Sequence, residues 1–292
     1  MEILVPRVLA HLAWPAGLAI VLVATAAALP LTVTLPLCIA LGLGYALLLR
    51  RLTGGRPAQP ALGLAVAGVG LFALVGFIGP PTAAEPVHML LNTVVLFAAA
   101  VALLWSTIAL ALRLRSGPAV AAAVLLGIGS AGYLMNLLAR WAVVLSGAAP
   151  AQAAIEDRAW MAAAYLRGLD GEPTYLTYLL VWLDLVQVAY LVLSYAAASA
   201  LAVALGRAGL LPARQARAVA RIGAVLAALV CAGAIAAAID GPVGTIAAWT
   251  AFALTIPFMS TVLPHVLGVA LLSPARAASH QDSGLPARAL VG

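Results

Sequence analysis

Residues 88–147 read HMLLNTVVLFAAAVALLWSTIALALRLRSGPAVAAAVLLGIGSAGYLMNLLARWAVVLSG. Two apolar stretches, near 88–112 and 118–147, are joined by a short turn that holds Arg113 and Arg115. Each exceeds the roughly 20 residues that carry a helix across the hydrocarbon core of a bilayer. Outward from this pair the pattern recurs, and spans are expected near 8–28, 31–49, 60–79, 174–206, 219–239 and 244–273. The run 8–49 is almost unbroken; as one straight helix it would reach about 63 Å, twice the hydrocarbon core. Pro30 is the natural break. The expected fold is all-α: a polytopic bundle of about eight transmembrane helices over residues 1–273, followed by a polar tail at 274–292.

Composition points the same way. Apolar residues make up 65% and charged residues 8% of the chain, against about 45–50% and 25% in soluble domains. Only a solvent as apolar as lipid removes the need for a polar exterior. The net charge of +6 comes from arginine alone, and lysine is absent. Together with the heavy use of Ala, Leu and Val, this is the composition expected of a GC-rich bacterial genome. In so apolar a chain a basic balance points to a membrane face and not to nucleic acid. Cys38 and Cys231 both fall inside apolar runs. With no C-x-x-C pair they are expected to be inert thiols.

Arginine is placed one-sidedly. Arg7, Arg50, Arg51, Arg56, Arg113, Arg115, Arg207, Arg214, Arg217, Arg221, Arg276 and Arg288 share one side of the expected topology. Arg140, Arg158 and Arg167 are left for the other side or the membrane. The acids Glu85, Glu156, Asp157, Asp170, Glu172 and Asp240 lie where arginine is scarce. By the positive-inside rule both termini are expected in the cytoplasm of a bacterial inner membrane. The outer segment 148–173 repeats Ile155, Ala159, Ala162, Ala163 and Leu166 at helical spacing, beside Glu156, Asp157 and Arg167. That pattern fits a short helix lying in the outer interface. The pairs Gly79-Pro80 and Gly241-Pro242 occupy matching places in the two halves, so a parallel four-plus-four repeat is one reading of the organisation.

An ionisable residue inside a span is costly and is by default a functional candidate. Asp184 falls ten residues into the sixth span, with Thr177, Gln187 and Tyr195 on its helical face. Arg140 falls in the fifth span, with Tyr133 and Asn136 on its own face. A bidentate Arg140–Asp184 pair, lined by Tyr133, Asn136 and Gln187, is the expected substrate or proton path. A static pair that fixes helix register, or an arginine reaching the outer headgroups, are the structural alternatives. Glu85, His88 and Asn92 cluster at the outer start of the fourth span as a second candidate contact. His11 and His265 stand at like depth on different spans, the arrangement a haem would require.

Other chemistries are excluded. Ser130, His88 and His265 supply the residue types of a serine protease, but on this topology they lie at different depths, and nucleophile and base need hydrogen-bond reach. No H-E-x-x-H helix and no Walker A loop is present, so the chain holds no zinc-protease motif and cannot itself hydrolyse ATP. No motif implies a cofactor or a metal. Pro257 and Pro264 interrupt the eighth span beside Thr255, Ser260, Thr261 and His265. Such broken helices line transporter sites or serve packing alone. The first functional expectation is therefore a transporter or permease subunit, not an enzyme, driven by a gradient or by a separate ATPase subunit. The second is the membrane anchor of a quinone- or haem-linked redox complex, with a redox subunit as partner. The third is a membrane-embedded lipid-modifying enzyme, which lacks clustered acid, base and nucleophile at one depth.

Overall fold

The computed structural model describes residues 9, 12, 31–52, 60–67, 86–145, 175–236, 241–244, 246–247, 250 and 259–272. Among them there is no strand. The helices, in chain order, are α1 Leu31–Leu52, α2 Pro86–Leu114, α3 Gly117–Leu145, α4 Tyr175–Arg207, α5 Ala213–Ala236 and α6 Met259–Leu271. A further helical stretch covers 60–67. Among the described residues four helices are long and apolar enough to cross a membrane, over Leu96–Leu114, Gly117–Ala139, Leu185–Arg207 and Ala213–Ala236. The expected first span apart from residues 9 and 12, the interfacial segment 148–173 and the tail lie outside the described residues.

Bilayer-sized helices form here because lipid offers backbone groups no alternative hydrogen-bond partner. Their ends are set by turn chemistry. At the foot of α4 the Leu210 N–H donates to Leu205 O at 2.9 Å and the Gly209 N–H to Gly206 O at 3.2 Å. This is a Schellman closure, and Gly209 takes the left-handed φ of 71° that it requires. Between α2 and α3 the Arg115 N–H donates to Ala111 O at 2.9 Å. Arg115 itself holds φ at 45°, a left-handed position filled without glycine.

One boundary departs from expectation. The seventh span was expected from residue 219, whereas α5 begins at Ala213 and takes in Arg214, Arg217 and Arg221. Hydropathy marks where the membrane begins, not where the helix begins. Arginine is a good helix former, so the helix runs on into the polar layer. For the same reason α1 continues through Arg50 and Arg51 to Leu52.

Helix α4 is the centre of the bundle. It packs along α3 on one side and α5 on the other, and α2 packs along α3. The core cluster joins Leu103, Leu110, Leu126, Leu137, Leu191, Tyr195, Leu201, Leu205, Val230 and Leu267. Small residues set the spacing. At Gly129 an added Cβ would lie 3.2 Å from Leu193 Cβ and 3.4 Å from Tyr190 O, so α3 and α4 touch almost backbone to backbone. At the other end of the pair, Ala119 of α3 and Ala204 of α4 pack with Ala111 of α2. The α2–α3 and α4–α5 turns therefore share one end of the bundle, with Arg113, Arg115, Arg207 and Arg214. Large apolar side chains such as Trp105, Leu112 and Ile128 are exposed, the normal state of a lipid-facing surface.

Candidate functional site

Two buried polar clusters stand out, and they occupy different parts of the bundle. The first lies between α3 and α4. Asn136 is fully buried and its side-chain amide donates to the carbonyl of Leu183. One turn away the Tyr133 and Tyr190 rings stack, with centroids 4.3 Å apart and planes 9° from parallel. The register follows from these contacts. Position 136 faces 183, 132 faces 186 and 129 faces 190. Gln187, half-buried, lies one turn from Leu183 on α4. The structure thus brings Tyr133 and Asn136 to one interface. Tyr195, two turns further along α4, is completely buried.

Arg140 and Asp184 occupy helical positions in α3 and α4, but their side chains lie outside the described residues. The same holds for His88 and Asn92 in the first turns of α2, while Glu85 and His11 lie outside altogether. Ser130 is completely buried, and its hydroxyl has no hydrogen-bond partner among the described residues. Gly127 meets Leu104, so Ser130 stands level with about residue 101 of α2. His88 is then about 20 Å away along the helix axis, too far to activate a serine.

The second cluster ties three segments together. The Tyr45 hydroxyl of α1 lies 3.0 Å from His265 Nδ1 of α6. Both groups also lie 3.3 Å from the carbonyl of Ala65, in the helical stretch 60–67. His265 is 1% exposed and Tyr45 is 8% exposed. Gly268, one turn along α6, permits the approach: an added Cβ would sit 2.6 Å from the Ala65 nitrogen and 2.8 Å from Ala61 O. Pro264 sits in the same helix and cannot donate to the carbonyl of residue 260. Sequence reading singled out His265 and its prolines but missed Tyr45. A tyrosine in an apolar helix about one and a half turns before a pair of arginines gives no signal of a partner 220 positions away. Tyr190 was missed for the same reason.

Neither cluster gathers three or more His, Cys, Asp or Glu side chains among the described residues. The arrangement offers buried hydrogen-bond donors, acceptors and aromatic faces. No known protein family, curated protein or solved structure matches the chain. What fold and site define is a class: an all-helical membrane protein with polar groups buried between its helices.

Proposed function

We propose that the protein is a transporter or permease subunit whose polar path runs along the α3–α4 interface through Tyr133, Asn136, Arg140, Asp184 and Gln187. The observation that carries this reading is the buried Asn136 amide bonded across to Leu183 O, beside the stacked Tyr133–Tyr190 pair. Polar groups are expensive in lipid, and a set of them on one interface is either interhelical packing or the lining of a pathway; the ionisable Arg140 and Asp184 on the same two helices favour the pathway.

The register gives the relative depth of Arg140 and Asp184, while Asp184 itself stands about 100° round α4 from Leu183. One turn beyond the 136–183 contact, position 140 is level with about 179–180, so Arg140 and Asp184 are about 6–8 Å apart along the axis. Depth follows from helix length. Counted from the arginine-bearing end, Asn136 lies about 29 Å along α3 and Asp184 about 35 Å along α4. A hydrocarbon core of about 30 Å then ends near these positions. Arg140 and Asp184 would form the charged mouth of the path, with Asn136, Tyr133 and Gln187 just inside it. Arg140 would hold an anionic group, or Asp184 would take up a proton. By the positive-inside rule this mouth faces outward and the arginine end faces the cytoplasm of a bacterial inner membrane. Energy would come from an ion gradient or from a separate ATPase subunit.

The test uses the purified full chain in proteoliposomes containing a pH-sensitive dye. A potassium-diffusion potential is imposed, and lactate or inorganic phosphate is supplied outside. Wild type is expected to take up protons or solute faster than protein-free vesicles, and Asp184→Asn to lose that flux while remaining folded. Flux that is unchanged in Asp184→Asn and Arg140→Gln sinks the reading. A spectrum of the same sample addresses the second reading, the redox anchor with His265 as a haem ligand. A Soret band lost in His265→Ala would replace transport by that reading.

A further inference from the structure

We infer that Arg214, Arg217 and Arg221, a stripe along the first turns of α5, form a binding site for the phosphate of an anionic membrane phospholipid. The three residues recur at i, i+3 and i+7, which places them on one helical face, and all three are exposed. That face continues beyond Arg221 through the exposed Val225 and Leu229. A guanidinium stripe that passes directly into lipid-facing aliphatic side chains matches the order of a phospholipid, phosphate first and acyl chain next. The stripe covers about 10 Å of helix, comparable to the headgroup layer on one side of a bilayer. The opposite face of α5, with Ala216, Val219 and Gly223, is buried against α4, so the arginines stay directed outward.

The local electrostatics favour an anion. The N-terminus of a helix is its positive end and favours acids, yet the first turn of α5 has none. Three guanidinium groups there repel the helix dipole and one another. No acid stands near them in the described parts of α4 and α5 to relieve this. The position of the stripe is fixed. Besides the Schellman closure at Gly209, a Cβ on Gly206 would sit 2.6 Å from Ala216 Cβ, so the α4–α5 corner is tight. Arg217 Nε donates to Ala213 O at 3.2 Å, which holds that guanidinium at the helix start. Planar guanidinium forks suit phosphate oxygens bidentately, and lysine would serve less well.

The experiment uses the full chain, delipidated in mild detergent and titrated with phosphatidylglycerol or phosphatidylcholine. Bound lipid is counted by native mass spectrometry. Wild type is expected to prefer phosphatidylglycerol, and Arg214→Gln/Arg217→Gln/Arg221→Gln to lose that preference. The loss should be about fivefold per arginine and roughly a hundredfold for all three. Millimolar inorganic phosphate should not displace the lipid. Should the triple variant fail to fold, Arg217→Gln and Arg221→Gln singly carry the same comparison. A phosphatidylglycerol preference equal in wild type and variants overturns the inference. So does displacement by free phosphate, or an acidic protein that co-purifies through these arginines while lipid counts stay the same.

Discussion

Replacing Gly268 by alanine should loosen the junction of α6 with the 60–67 helix, and the cost can be worked out from the geometry. The new Cβ would lie 2.6 Å from the Ala65 nitrogen, 2.8 Å from Ala61 O and 3.1 Å from Ala65 Cα. All three are backbone atoms, so no side-chain rotation relieves the clash. Ordinary contact begins at 3.4 Å, so the helices must part by about 0.8 Å. Overpacking of this kind costs about 1–3 kcal/mol. The same shift carries His265 away from Ala65 O, now at 3.3 Å, and past hydrogen-bond range. A lost buried bond adds about 1 kcal/mol. The sum is about 2–4 kcal/mol. Gly44→Ala is the matched control. Nothing lies within 4 Å of its new Cβ, and removing a helical glycine is worth up to about 1 kcal/mol in the opposite direction. Both changes are read by titrating dodecyl sulfate into mixed micelles and following helicity. If Gly268→Ala proves as stable as Gly44→Ala, the close crossing of α6 over Ala61 and Ala65 is wrong.

Three further expectations use the same assay. Arg115→Gly should stabilise the α2–α3 turn by about 0.5–1 kcal/mol, because a non-glycine at φ 45° is strained and glycine gives back part of the gain as chain entropy; destabilisation would show that the arginine side chain holds the turn. Asn136→Leu should cost about 0.6–1.7 kcal/mol, the range for one interhelical bond in lipid, and no loss would mean that the bond to Leu183 O is not made. Tyr45→Phe removes the hydroxyl shared by His265 and Ala65 O and should cost a similar amount, about 1 kcal/mol; adding His265→Phe to it should cost less than the sum of the two single changes, and strict additivity would uncouple the pair.

By itself the sequence determined the class of fold, the position of the long helices and the turns between them. Residues 88–112, 118–147 and 174–206 are legible as spans because lipid forces each apolar stretch to satisfy its own backbone, which makes helix formation a local matter. Arg113, Arg115 and Arg207 punctuate those stretches in the sequence as they do in the bundle. Asn136 and Tyr133 were legible too, since any polar residue stands out against alanine and leucine.

What only the tertiary structure decided is which faces meet. In a soluble helix an apolar stripe marks the inside, but here both lipid-facing and core-facing sides are apolar and the stripe disappears. Trp105 is exposed and Leu103 buried within one turn of the same helix, and hydropathy does not separate them. The stacking of Tyr133 on Tyr190 and the convergence of Tyr45, Ala65 and His265 depend on helix rotation and on small residues such as Gly129 and Gly268. Their effect is one of distance between backbones, a quantity that no linear pattern of residues carries.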